Sequence, residues 1–68
     1  MDAEEVYRGG LRLAPESASL HELLGDALLG GGRTEEALLW YNRAAALEGV
    51  VAASLAQKIE RAQTQLRP

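Results

Sequence analysis

Two stretches of this chain resemble each other at an offset of 34 residues. Small, aromatic and apolar residues recur in the same order, first as Ala3, Val6, Tyr7, Gly10, Leu13 and Pro15 and then as Ala37, Trp40, Tyr41, Ala44, Leu47 and Gly49. A period of this length with this order of residue types is typical of repeats built from two helices and a turn. Such repeats bury a core only by stacking on one another, so the period constrains the fold strongly.

The composition favours an all-α domain. Hydrophobic residues make up 47% of the 68 residues but aromatic residues only 4%, and most apolar side chains are Leu or Ala, which are strong helix formers. The length allows one small domain, 1–68, of marginal stability. With no cysteine and a single histidine, the chain offers neither a disulfide nor a metal cage, and we predict no cofactor.

The charge pattern excludes several classes of function. The net charge is −3 and the arginines are dispersed, so no basic stripe is present that would neutralise nucleic-acid phosphates. No apolar run approaches the roughly 20 residues that span a bilayer, and the acidic start Met1–Glu5 lacks the apolar core of a signal peptide. We therefore expect a cytoplasmic chain that binds neither nucleic acid nor membrane.

Glycine, proline and capping residues divide the chain into helices. Pro15 ends the first helix and Ser17 caps the second, while Thr34 caps the third and Gly49 ends it. The pattern predicts four helices, over about 2–13, 18–29, 34–47 and 50–66.

Helical spacing also predicts which side chains face the core. On the second helix these are Leu20, Leu23, Leu24, Ala27 and Leu28. On the third they are Ala37, Leu38, Tyr41, Ala44 and Ala45. On the fourth they are Val51, Leu55, Ile59, Ala62 and Leu66.

With these elements placed, the central stretch resembles the tetratricopeptide repeat (TPR) family, whose pattern is W-x2-L-G-x2-Y, then A-x3-F, then P. The matching residues are His21, Leu24, Gly25, Leu28, Ala37, Tyr41, Ala44 and Gly49. His21, Leu28 and Gly49 depart from the family's aromatic residue, tyrosine and proline.

The resemblance implies an all-α, helical-repeat fold of antiparallel α-hairpins, with about four helices ending in a capping helix. One complete repeat would span 18–51, preceded by the second half of a repeat over 2–15 and followed by the capping helix over 50–66. In that last helix Ile59 stands in the slot of Gly25, where a large side chain prevents a close crossing.

In this family the first helix of each pair lines a concave groove. The resemblance therefore implies a partner-binding groove made of Ser19, Glu22, Asp26, Leu29, Ala53, Ala56, Glu60 and Gln63. The groove would be acidic, so we expect a protein partner that presents a basic or amphipathic segment rather than an acidic chaperone tail. The alternative interpretation is that Glu22 and Asp26 are simply solvated helix residues.

The first helix lacks a repeat partner, which predicts an uncovered apolar face. A second copy, the rest of a longer repeat protein, or a partner protein on which this chain folds as an obligate subunit would each cover it, and we expect a homodimer. The candidates for self-association are Val6, Tyr7, Leu11, Leu39 and Trp40. Partial packing in the core is the alternative interpretation of Trp40.

Ser19, His21 and Asp26 do not have the spacing of a catalytic site, because residues two or five apart on a helix do not face each other. Gly30–Thr34 lacks the spacing and the lysine of a phosphate loop. The prediction is therefore a non-catalytic protein–protein interaction scaffold. The alternatives are a structural oligomerisation element, assembled through the apolar stripe of the fourth helix, or a fragment of a larger TPR protein.

Overall fold

The chain folds into α-helices. The structure is a computed structural model that describes residues 2–49 and 52–67. Within these two ranges there are four helices and no strand, and the helices are α1 (Ala3–Leu13), α2 (Ala18–Gly30), α3 (Thr34–Glu48) and α4 (Ala53–Leu66). The prediction of an all-α fold is confirmed. Val50 and Val51, which were predicted to begin the fourth helix, lie outside the described residues.

Short-range capping sets most helix ends. Ser17 precedes α2, and its hydroxyl accepts a hydrogen bond from the Leu20 N–H at 3.2 Å, as predicted. Asp2 does the same for α1, since its carboxylate accepts from the backbone of the first turn. Gly49 follows α3 with a φ of 76°, a backbone conformation that glycine adopts most readily.

The start of α3 differs from the prediction. Arg33, not Thr34, is the N-cap residue, and it makes no side-chain capping bond. Thr34 is already helical, and its hydroxyl donates to Gln65 Oε1 on α4 at 3.2 Å. The prediction of Thr34 as the cap was wrong because a contact with another helix competes with the local capping bond.

The tightest contact of the fold joins α2 to α3. A Cβ atom added to Gly25 would lie 2.6 Å from the ring of Tyr41, so this ring rests directly on the α2 backbone. Ala37 and Ala44, one turn to either side of Tyr41, are fully buried. The two helices therefore cross closely at these small residues.

A small core lies between α2, α3 and α4. Its members are Leu24, Leu28, Ala37, Tyr41, Ala44, Leu55 and Ala62. Leu38, Ala45 and Ile59 pack partly against it. Leu23 and Leu66 were predicted to face inward but are exposed, because both lie at the border of their helix's apolar stripe.

Helix α1 packs mainly on α2 and contains no fully buried residue. A Cβ added to Gly10 would lie 3.1 Å from the Leu20 side chain, so Gly10 allows α1 and α2 to pack closely. No atom lies within 4 Å of a Cβ added to Gly9. Helix α1 therefore forms one edge of the molecule.

Candidate functional site

The predicted groove residues divide into two groups by exposure. On α2, Ser19 is exposed, whereas Glu22, Asp26 and Leu29 are half-buried. On α4, all four predicted residues are exposed, and these are Ala53, Ala56, Glu60 and Gln63. Three of the α2 side chains are thus partly covered by neighbours, whereas Ser19 and the four α4 side chains meet solvent.

Lys58 connects the two helices of this surface. Its Nζ donates to Glu22 Oε2 at 2.6 Å and to Asp26 Oδ2 at 3.0 Å, so one α4 ammonium group bridges two α2 carboxylates. The hydrogen bond to Glu22 raises the pKa of Lys58, while partial burial opposes that shift and Asp26 adds to it. The bridge holds α2 and α4 side by side.

The sequence analysis did not identify this role, because Lys58 lies outside the apolar stripe of the fourth helix. A signal for it was present, because Lys58 lies 34 residues after Leu24, a fully buried core residue. A lysine at the repeat position of a buried leucine is half-buried itself and needs a charged partner.

Tyr41 extends the same network into the core. Its ring is fully buried, and its hydroxyl donates to Asp26 Oδ1 at 2.6 Å. Burial raises the pKa of Tyr41, and the hydrogen bond to Asp26 adds to this effect. Asp26 is therefore fixed from two sides, by Tyr41 and by Lys58, before any partner arrives.

The charge of the surface is less negative than the sequence suggested. The Lys58 ammonium compensates one of the two carboxylates that it bridges, Glu22 and Asp26. Glu60 adds a further exposed carboxylate on α4. Arg61, also exposed on α4, lies close enough to Tyr41 for its charge to oppose the rise in the Tyr41 pKa. Three carboxylates, one ammonium and one guanidinium leave a net charge of −1 on this surface.

A second ionic network joins α1 to the start of α3. Arg33 donates to both oxygens of Glu4, at 3.1 and 3.0 Å, and also to Glu36 at 2.7 Å. Glu4 in turn accepts from Arg8 at 3.0 Å. The hydrogen bond that Arg33 donates to Glu36 raises the pKa of Arg33, while loss of solvation opposes this shift. Because Arg33 and Glu36 are exposed and Glu4 is only half-buried, the network orients α1 more than it stabilises it.

Trp40, a predicted self-association residue, is half-buried against three other side chains. The His21 ring lies 5.4 Å from it, and the guanidinium groups of Arg8 and Arg43 lie 5.6 and 4.7 Å from its ring centre. The arginines are within the range of cation–π attraction. Leu39 beside it is 49% exposed. The interpretation of Trp40 as partly packed is confirmed, and its interhelical contacts were not foreseen.

The remaining self-association residues lie on α1. Val6 is 50% exposed, whereas Tyr7 and Leu11 pack partly against the core. Of these three, Val6 is therefore the one that leaves half of its surface exposed to solvent.

Ser19, His21 and Asp26 are not brought together. His21 is buried, and its Nδ1 lies 2.8 Å from the Ser17 carbonyl oxygen, which can only accept, so Nδ1 carries the proton. Ser19 is exposed, and Asp26 accepts hydrogen bonds from Tyr41 and Lys58.

Within residues 2–49 and 52–67, no group of three acidic or histidine side chains is placed to hold a metal ion.

Comparison with known proteins assigns no family. The chain matches no protein-family model, no curated protein and no solved structure. In the part of the chain that the structure describes, no helix is both long and apolar enough to cross a bilayer. The function must therefore be argued from the surfaces described above.

Proposed function

We propose that this chain is a non-catalytic protein–protein interaction module, built from TPR-like antiparallel α-hairpins, that binds a peptide or helical segment across α2 and α4. The observation that carries the proposal is the bridge from Lys58 to Glu22 and Asp26. This bridge connects side chains of two helices that are distant in sequence.

Two observations support the TPR-like arrangement. The 34-residue offset places Tyr7 and Tyr41, and also Gly10 and Ala44, in equivalent positions. The close approach of Tyr41 to Gly25 is the kind of small-residue crossing that lets paired helices pack tightly.

The surface also fits a particular kind of partner. Ala53 and Ala56 are small and exposed, so they leave room for incoming side chains. Leu29 offers a half-buried apolar contact on α2, and Glu22, Asp26 and Glu60 contribute carboxylates to the same two helices. A helix with one apolar face and lysines on the other matches both features.

The test is a titration of isotope-labelled protein, followed by amide chemical shifts, with two amphipathic peptides. The peptides share one apolar face and differ only in carrying Lys or Glu on the polar face. We expect the Lys peptide to bind and to shift amides of α2 and α4. Equal binding of both peptides, or shifts confined to α1, would contradict the proposal.

A matched pair of variants locates the charge effect. Glu60→Gln removes a carboxylate from the proposed surface, and Glu48→Gln removes one at the exposed end of α3. We expect Glu60→Gln to weaken the Lys peptide about two- to fivefold, the range of an exposed ion pair. Glu48→Gln should leave the affinity unchanged, and equal weakening by both would show only long-range attraction.

A further inference from the structure

The outward face of α1 carries features that the fold of one chain does not use. Leu13 is 90% exposed and Val6 is 50% exposed. Between them lies Gly9, where an added Cβ would touch nothing within 4 Å. A glycine inside a helix costs about 1 kcal/mol relative to alanine, and no contact within the chain compensates for it here.

The residues around Gly9 are sorted by chemistry into two flanks. On a helix, positions three before and four after a residue lie on one side of it, and positions four before and three after lie on the other. Val6 and Leu13 therefore form an apolar flank, and Glu5 and Arg12 form a charged flank. Glu5 and Arg12 make no ion pair with any residue in 2–49 or 52–67.

The face is also concave at its centre. A shallow, open depression runs along it, lined by Glu5, Val6, Arg8, Gly9 and Arg12. The missing side chain of Gly9 lies in the middle of this depression, where a second helix could approach closely.

We propose that α1 pairs antiparallel with α1 of a second copy, around a two-fold axis that passes near Gly9. In such a pair each flank meets the same flank of the other copy. Glu5 then faces Arg12 of the second copy and Val6 faces Leu13 of the second copy, and the symmetry makes each contact twice. Only this antiparallel arrangement places the charged flank of one copy against the charged flank of the other, with opposite charges facing each other.

The structure favours this pairing over the stacking of α4 from another copy on α1. If α4 of another copy continued the repeat by stacking on α1, Tyr7 of one copy would contact Ile59 of the other, in the way that Tyr41 contacts Gly25 within one chain. Even a Cβ at Gly25 would lie 2.6 Å from the tyrosine ring, so the larger Ile59 blocks that geometry. The proposed α1 interface is separate from the groove on α2 and α4, and either proposal can fail without the other.

The first experiment is sedimentation equilibrium of the parent chain over a hundredfold concentration range, with charge-reversal variants beside it. The parent should pass from monomer to dimer. Glu5→Arg and Arg12→Glu should each weaken the dimer about tenfold or more, because each creates two like-charge contacts. The double variant should recover the parent's dissociation constant to within about threefold. Positions 5 and 12 then carry swapped charges, so each contact again joins opposite charges.

A second pair of variants tests the crossing point. Gly9→Gln places a bulky neutral side chain at the axis and should abolish the dimer. Gly30→Gln is the matched control, because a Cβ at Gly30 also has nothing within 4 Å and Gly30 lies at the end of α2. It should dimerise like the parent, and both variants should keep their helical circular dichroism.

Three results would each overturn the proposal. The first is a parent chain that stays monomeric throughout, and the second is a Gly9→Gln variant that dimerises like the parent. The third is a double charge variant that keeps its helical content but fails to recover the dimer.

Discussion

Helices α1 and α3 carry the same order of residues at an offset of 34, yet they lie in different surroundings. Ala37 and Tyr41 of α3 are fully buried. Their equivalents on α1 are not, since Ala3 is exposed and Tyr7 is half-buried. The difference comes from neighbours, because α3 packs on both α2 and α4 whereas α1 packs mainly on α2.

The comparison shows that one pattern of residues can serve two roles. In α3 the small residues admit a tyrosine-to-backbone crossing that holds the core together. In α1 the equivalent Gly10 only admits the Leu20 side chain, and the opposite face stays open. How deeply a residue is buried therefore depends on how the helices pack. The free energy of unfolding lost on its substitution depends on the same packing.

The largest expected difference concerns the two equivalent alanines. Ala37→Leu forces extra volume into the fully buried crossing and should lower the free energy of unfolding by about 1–3 kcal/mol. Ala3→Leu adds the same volume at an exposed site and should change it by less than about 0.5 kcal/mol. Urea unfolding followed by circular dichroism measures both, and equal effects would remove the distinction between α1 and α3.

A smaller difference is expected for the two equivalent tyrosines. Tyr41→Phe deletes the hydroxyl that donates to Asp26 at 2.6 Å and should cost about 1–2 kcal/mol, as expected for a hydrogen bond to a charged group. Tyr7→Phe should cost close to nothing, because the Tyr7 hydroxyl has no hydrogen-bond partner among the described residues. The same unfolding assay applies, and a Tyr7→Phe cost that matched Tyr41→Phe would show that α1 is more tightly built than its burial indicates.

The smallest expected effect is a loss of stability at alkaline pH that arises from α3 and α4. The pKa values of Tyr41 and Lys58 are raised above their ordinary values of 10.0 and 10.5, by burial and by the hydrogen bond to Glu22 respectively. The folded chain therefore holds these protons longer than the unfolded chain does. The associated stability is complete below about pH 10 and is lost as the pH rises through the raised values.

Urea midpoints of the parent between pH 8 and 11 measure this loss. Lys58 is the only lysine of the chain, so the Lys58→Met variant isolates its contribution, and Tyr41→Phe isolates that of the tyrosine. Each variant should show a shallower decline than the parent. A parent whose midpoint does not fall over this range would contradict the assignment.

Much of the fold could be predicted because its determinants are local. Ser17, Gly49 and the spacing of Leu and Ala mark the helices through capping and periodicity, which act within a few residues. The small residues Gly25 and Ala37 marked the closest crossing, since only small side chains tolerate one. Thr34 shows the limit of such reasoning, because its hydroxyl bonds Gln65, which is distant in sequence.

The candidate surface was predicted less completely. The sequence indicated Glu22 and Asp26 as groove residues, but it could not indicate that Lys58 bridges them or that Tyr41 donates to Asp26. These contacts join three helices, and their existence depends on how the helices pack. The same holds for Trp40, whose neighbours Arg8 and His21 come from α1 and α2.

The sequence by itself determined most helix ends, though not the start of α3, and which residues are small enough to let helices approach, because these follow from backbone propensity and side-chain size. Only the tertiary structure decided that Tyr41 is buried while its equivalent Tyr7 is not, and that Lys58 closes the ionic bridge between α2 and α4. The physical reason is that burial and ion pairing depend on distances between groups far apart in the chain, and those distances exist only once the helices have packed.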